Sequence, residues 1–122
     1  MFYLTAEDVE EIHDVILNPG ELRGLAGSKS LESALARVEN RLVFGLIPDP
    51  FDLAALYAMA ISQGHCFNDG NKRTAFRVME VVLVAHDITL AWDVKDIGDR
   101  IIRLAQGQLD PGDLAEWLRD RG

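Results

Sequence analysis

Residues 65–85, HCFNDGNKRTAFRVMEVVLVA, join a polar segment to a long apolar run, and this run indicates the fold. From Val78 to Ala85 the side chains are apolar on almost every side of a helix except at Glu80, a pattern typical of a buried helix. The polar segment before it ends in an Asp-Gly pair, a common turn. We therefore predict a helix that begins near Asn71 and lies at the centre of a helical domain.

Apolar residues elsewhere recur mostly at helical spacing, and no internal repeat or interdomain linker interrupts them. In addition to the helix that begins near Asn71, the sequence predicts five more helices. Three come before it, at 5–17, from Leu31 to near Gly45 and from Pro50 to Gly64. Two come after it, one that follows an Asp93 cap and one that begins at Pro111. A flap rich in Gly and Ser at 18–30 and a short extended piece at 88–92 complete the pattern. The prediction is an all-α, compact single-domain helical bundle of about six helices over residues 1–122.

The composition is that of a cytoplasmic globular protein. With 122 residues, 48% of them hydrophobic, the chain can bury one core. We see no signal-peptide pattern, and the apolar run is far shorter than the roughly 20 residues of a membrane span. Cys66 is the single cysteine, which agrees with a reducing compartment. We expect a cytoplasmic protein that does not associate with membranes.

Charge is spread unevenly along the chain. The formal net charge of −8 repels nucleic-acid backbones, so we expect no direct nucleic-acid partner. Between His65 and Arg77, however, three basic residues and one acid give a local charge of +2. A compact basic site on an acidic protein suggests a small phosphate-containing ligand.

The beginning of the helix at Asn71 has the features of an anion site. Unpaired backbone N–H groups and the positive end of the helix dipole favour a phosphate there. Gly70 allows a close approach of the backbone, while Lys72 and Arg73 supply cations for phosphate oxygens. The alternative is that these residues form only a turn, a helix cap and solvated charges.

Two residues of the preceding loop add reactive groups. Asp69 suits a Mg²⁺ ion shared with a nucleotide, and His65 is the candidate general base for a hydroxyl. A Cys66–His65 nucleophile is disfavoured, because neighbouring side chains in a loop seldom face each other. A metal hydrolase is also disfavoured, since no histidine cluster supplies a closed ligand set.

The segment HCFNDGNKR at 65–73 resembles the HxFxDxNKR signature of the Doc (death on curing) toxins, a branch of the Fic superfamily. The resemblance runs from Ile12-His13-Asp14 through the flap to Thr74-Ala75 and so covers most of the chain. It implies a small all-α bundle. It also implies an enzyme that transfers the γ-phosphate of ATP to a threonine of translation elongation factor Tu and thereby stops protein synthesis.

The resemblance implies a role for each matching residue. His65 is the base, Asp69 the Mg²⁺ ligand, and Phe67 the core anchor of the loop. His13 lies on or beside the apolar stripe of the first helix, where a histidine is more often packed than functional, and the resemblance offers the substrate side as the alternative place. The phosphate cradle consists of Gly70, Asn71, Lys72 and Arg73.

Fic enzymes at large carry HxFxDGNGRxxR and transfer AMP to protein hydroxyls, and this chain departs from that pattern twice. Lys72 replaces a glycine, and Phe76 stands at the second arginine, with Arg77 one residue late. Both departures resemble Doc and favour phosphate transfer. AMP transfer and a nucleotide-binding regulator without catalysis remain the alternatives.

Some Fic proteins inhibit themselves through a helix with Ser or Thr four residues before Glu-Gly or Glu-Asn. Here only Glu39-Asn40 has that ending, and Leu35 stands where the hydroxyl residue belongs. We therefore expect restraint by a separate, Phd-like antitoxin chain, a segment of which folds as a helix into an apolar groove.

Overall fold

Six α-helices follow one another in the computed structural model, which describes residues 3–21, 31–64 and 70–121. Their bounds are α1 Ala6–Ile16, α2 Leu31–Val43, α3 Pro50–Gly64, α4 Asn71–Ala85, α5 Val94–Ala105 and α6 Pro111–Arg119. These bounds confirm the predicted helices and the all-α class. The stretch 88–92 is irregular, and no strand occurs in the described ranges, so the extended piece suggested by the sequence does not pair into a sheet.

Helix starts are defined by side chains close in sequence. At α1 the Thr5 hydroxyl accepts from the Asp8 N–H at 3.2 Å, and the Asp8 carboxylate accepts from the Thr5 N–H at 3.0 Å. At α5 the Asp93 carboxylate accepts from the Lys95 N–H at 2.8 Å. Such caps satisfy donors that lack an intrahelical acceptor, and they depend only on local sequence.

The central element is α3, whereas the sequence predicted that α4 would be. Six consecutive residues of α3, from Leu53 to Ala58, are buried, and three of the six are alanines that allow close helix packing. As a result α3 packs against α2, α4, α5 and α6. One side of α4 remains open at Val84, which is 61% exposed, so its apolar run is only partly covered.

Long-range contacts fix the ends of the bundle. All six helices contribute buried side chains to one hydrophobic cluster. The Tyr57 hydroxyl accepts from the Leu4 N–H at 2.8 Å and ties the segment before α1 to α3. Arg119 of α6 donates to Asp49 at 2.9 Å and to Asp52 at 2.7 Å, which joins α6 to the start of α3.

In the part of the chain that the structure describes, every helix is too short or too polar to cross a lipid bilayer.

Candidate active site

The predicted phosphate-binding residues lie where the end of α1, the turn at 18–21 and the beginning of α4 meet. The loop 65–69 lies outside the described residues, and with it the predicted base His65, the core anchor Phe67 and the metal ligand Asp69. Within the described ranges no group of three or more His, Cys, Asp or Glu side chains is placed to hold a metal ion. The described part of the site consists of the residues at the beginning of α4 and their partners on α1 and in the turn at 18–21.

Gly70 opens α4 in a conformation that suits glycine. Its φ of 80° is left-handed, and its carbonyl accepts the first helical hydrogen bond from the Thr74 N–H at 2.9 Å. No side chain caps the helix at this residue. Backbone amides in the first turn of a helix have no acceptor within that helix, and the anion site that the sequence predicts at this position stays a prediction.

His13 packs beneath this helix start. It is fully buried, and its Nε2 lies 3.6 Å from the position that a Cβ at residue 70 would take. Its Nδ1 lies 3.6 Å from a carboxylate oxygen of Asp14. His13 is thus packed beneath the beginning of α4, as expected of a histidine on the apolar stripe of the first helix, and its place on the substrate side stays a prediction.

Arg73 is held by the α1 side of the site. One guanidinium nitrogen, Nη1, donates to the Ile16 carbonyl at 3.3 Å, and Nη2 forms a hydrogen-bonded ion pair with the Glu21 carboxylate. Nη2 is also 3.7 Å from the position that a Cβ at residue 70 would take, close to the start of α4. The cation thus sits where a phosphate would need it, but its charge is already paired.

The charge state of Glu21 follows from these contacts. The hydrogen bond from Arg73, and next to it one from the Asn18 N–H at 2.6 Å, lower the pKa of the Glu21 carboxyl below its ordinary value. Glu21 is therefore a carboxylate at neutral pH and neutralises Arg73. Sequence analysis missed this residue, because nothing in the local pattern links position 21 to a helix 50 residues later.

Lys72 differs from Arg73 in its surroundings. Its side chain is exposed and forms no ion pair with a described residue. It borders a slot of about 210 Å³ between α4 and α5, whose lining is otherwise almost wholly apolar. The residues around the slot are Lys72, Arg73, Phe76, Val94, Ile97, Gly98, Ile101 and Ile102. Lys72 thus brings an available cation to the edge of an apolar surface.

Phe76 and Arg77, which stand at and one residue after the position of the second arginine in the broader Fic pattern, both have partners outside the first turn of α4. Phe76 packs against the core, with its ring centroid 5.5 Å from that of Trp92. The Arg77 guanidinium donates to the Glu80 carboxylate at 3.0 Å, in the direction of the helix end. Neither residue takes the place of a second arginine at the beginning of α4.

The chain is similar to known proteins over most of its length. The family model described as Fic/DOC family matches residues 3–83, a range that contains α1, α2, α3 and all but the last two residues of α4. The chain is also similar to the protein kinase doc of Escherichia phage P1, with 30% identity over 120 residues. That alignment covers 98% of this chain and 94% of the phage protein.

Proposed function

This chain belongs to the Fic/Doc family, and from that premise we propose that it is a Doc-type toxin that phosphorylates a translation protein with ATP. The similarity to the phage protein, which is named a protein kinase, extends over almost the full length of both chains. We take translation elongation factor Tu as the substrate, with a threonine hydroxyl as the acceptor, and the cytoplasm as the place of action.

The observation that carries the choice of phosphate transfer is the set of cations at the start of α4. Lys72 adds an exposed cation where AMP-transferring relatives have glycine, and Phe76 is packed against Trp92 where they have arginine. A lysine side chain fills the space that glycine would leave and offers a compact charge for a phosphate oxygen. This arrangement supports a nucleotide that presents its γ-phosphate, rather than its α-phosphate, for transfer.

The proposed step is an in-line transfer. His65 accepts the proton of the target hydroxyl as its oxygen forms a bond to the γ-phosphorus. The bond from that phosphorus to the bridging oxygen of the β-phosphate breaks, and ADP leaves. Backbone amides after Gly70, together with Asn71, Lys72 and Arg73, hold the phosphates.

Asp69 is the proposed ligand of Mg²⁺, which would neutralise charge on the phosphates when bound. Because Asp69 lies outside the described residues, this assignment rests on the sequence motif alone. ATP and Mg²⁺ are the small molecules that the proposed reaction needs.

The proposed partner is a Phd-like antitoxin. The apolar slot between α4 and α5 offers a seat for an amphipathic helix, since its rim includes the exposed Val94 and Ile102. An acidic residue of such a helix would meet Lys72 at the end of the slot. A helix seated there would cover the first turn of α4 and keep nucleotide from it.

Mass spectrometry of purified elongation factor Tu, incubated with this chain and Mg-ATP, tests the proposal. We expect a gain of about 80 Da for phosphate, whereas AMP transfer would add about 329 Da. The matched control is His65→Ala, which keeps the residues at the start of α4 and should give no mass gain.

The other possible results of this mass-spectrometry experiment favour different functions. A gain of about 329 Da would replace phosphate transfer by AMP transfer. Bound nucleotide with no modified protein, either in purified elongation factor Tu or in a cell extract, would favour a regulator without catalysis. Equal mass gain with wild type and His65→Ala would show that His65 is not the base.

A further inference from the structure

Two arginine side chains share one tryptophan ring on the α5–α6 side of the bundle. The guanidinium carbon of Arg100, on α5, lies 4.1 Å from the centroid of the Trp117 ring, and that of Arg121, just after α6, lies 3.7 Å from it. Each guanidinium also donates to a backbone carbonyl, Arg100 to Asp96 at 3.2 Å and Arg121 to Trp117 at 3.4 Å. The half-buried indole thus holds both cations in defined positions, and we call this group the Arg100–Trp117–Arg121 cluster.

Neither arginine of the cluster forms an ion pair within the described residues. Asp99 directly precedes Arg100 in sequence, but its carboxylate lies 3.7 Å from the amine of Lys95 instead. Two like charges beside one ring repel each other, and in the described structure no carboxylate contact offsets that repulsion. An added carboxylate would therefore be bound by guanidinium N–H groups that the two backbone carbonyls leave unused.

Other basic side chains in the described ranges already have a carboxylate partner. They are Arg73, Arg77, Lys95 and Arg119, which pair with Glu21, Glu80, Asp99 and the two acids Asp49 and Asp52. The chain as a whole has a formal net charge of −8, so acids are in excess. The charge of the Arg100–Trp117–Arg121 cluster, in contrast, remains available to a partner.

The composition and rigidity of the cluster suit a protein interface. Tryptophan and arginine are the residues that most often carry the binding energy of such interfaces. Side chains that are already held in place lose little conformational freedom when a partner binds. Because an acidic chain repels an acidic partner over most of its surface, a local pair of cations also determines where such a partner can bind.

The cluster lies apart from the proposed phosphate site. It belongs to α5 and to the end of α6, whereas the phosphate-binding residues are at the start of α4. Both α5 and α6 also lie outside residues 3–83, which the family model matches. The family match therefore implies no role for this surface.

We propose that the Arg100–Trp117–Arg121 cluster is a docking surface for the protein substrate, and that it binds an acidic segment of that protein through the two guanidinium groups. This inference rests on the proposed function and adds a surface for substrate recognition. Transfer to a protein hydroxyl requires affinity for the protein as well as for ATP. Contacts remote from the reacting atoms that are equal in the ground and transition states change KM rather than kcat.

Steady-state kinetics with purified elongation factor Tu as the varied substrate, at saturating Mg-ATP, test the inference. Arg100→Gln and Arg121→Gln keep polar side chains but remove the charge. We expect each to raise the KM for the protein about fivefold or more, with kcat and the KM for ATP as in wild type. Trp117→Leu should raise the same KM, whereas Trp117→Phe, which keeps an aromatic ring, should restore most of the wild-type value.

Arg103→Gln is the matched control. Arg103 is exposed on the same helix, three residues after Arg100, and it contacts no ring or carboxylate in the described part of the chain. Its substitution removes the same charge and should leave the KM within about twofold of wild type, as is usual for surface residues outside an interface. An equal rise of KM in Arg103→Gln would mean that only net charge matters and would overturn the docking role.

A purely structural role predicts a different result. If the cluster only joins α5 to α6, the arginine variants would unfold at a lower temperature but keep the wild-type KM, and the docking role would be wrong. Gel filtration examines a second copy of the chain as the occupant. A wild-type dimer that is lost in Arg100→Gln, together with an unchanged KM, would assign the surface to self-association and overturn the proposal.

Failure of this inference can be told from failure of the proposed function by calorimetric titration of elongation factor Tu without ATP. If wild type phosphorylates the factor and the arginine variants keep its KM, only the docking role is wrong. If the factor is not modified but binds wild type more tightly than Arg100→Gln or Arg121→Gln, the docking surface holds and the kinase proposal is wrong. Neither binding nor modification by wild type would overturn both.

Discussion

At the scale of single residues, the two cations in the first turn of α4, Lys72 and Arg73, have different surroundings. Arg73 is bound to Glu21 and to the end of α1, so part of its role is to join the two helices. Lys72 is exposed and has no ionic partner in the described part of the chain. In the proposed reaction, a phosphate can contact Lys72 without breaking an ion pair, whereas Arg73 is already paired with Glu21. Substitution of Lys72 is therefore the more direct test of phosphate contact.

Lys72→Gly should lose phosphoryl transfer by roughly tenfold or more, because a charge-assisted contact to phosphate is worth about 1.5–3 kcal/mol. Trace AMP transfer is a secondary expectation, limited because Phe76 does not supply the second arginine. Rates with γ-labelled and α-labelled ATP measure the two reactions.

Lys95→Gly is the matched control for that substitution. Lys95 is also the second residue of its helix, and its exposed amine lies 3.7 Å from the Asp99 carboxylate, in contact with nothing at the site. It tests the cost of glycine at this helix position without the loss of a phosphate contact. A Lys72→Gly protein that phosphorylates its target at the wild-type rate would show that Lys72 does not set the reaction.

At the scale of the helix, Gly70 has a structural role and a proposed role in phosphate binding. Its left-handed φ suits the residue that begins α4, and the lack of a side chain would let a phosphate approach the backbone there. A Cβ there would lie 3.4 Å from a methyl group of Leu17, which is an ordinary contact distance. The cost of a larger residue thus comes from the backbone conformation more than from crowding.

Gly70→Ala should lower the free energy of unfolding by about 1–2 kcal/mol, because an L-residue is strained at this φ. Gly98→Ala, within α5, should instead raise it by about 0.4–1 kcal/mol, since Gly98 is helical and a Cβ there meets nothing within 4 Å. Urea unfolding of both variants measures the difference. Equal stability of Gly70→Ala and wild type would mean that the left-handed conformation is not required at residue 70.

At the scale of the whole molecule, the bundle leaves two openings beside α4. The slot toward α5 borders Lys72, and a groove of about 480 Å³ toward α1 is lined by apolar side chains together with Asp8, Glu11 and Arg77. Neither opening is covered by another described segment of the chain. The architecture is therefore compatible with restraint by a second protein, as the missing inhibitory motif predicts.

Expression of this chain alone should arrest growth of a bacterial host whose elongation factor Tu is a substrate. His65→Ala, expressed to the same level, should not arrest growth, because the proposed base is lost. Growth curves and immunoblots of both proteins give the measurement. Normal growth with abundant wild-type protein would contradict restraint by a separate antitoxin.

Sequence alone determined the features that depend on neighbours along the chain. The six helices were predictable because caps such as Thr5 with Asp8 and apolar spacing act within one or two turns. The same is true of the helix start at Gly70–Arg73, since a turn, a helix dipole and two basic residues all lie within one short segment.

Tertiary structure alone decided which of those residues meet. It placed α3, not α4, at the centre, because burial depends on how many other helices a helix contacts. It packed His13 beneath Gly70 and joined Arg73 to Glu21. Contacts between residues some 50 positions apart leave no local pattern to read, because they exist only after the helices have packed and brought distant charges to hydrogen-bonding distance.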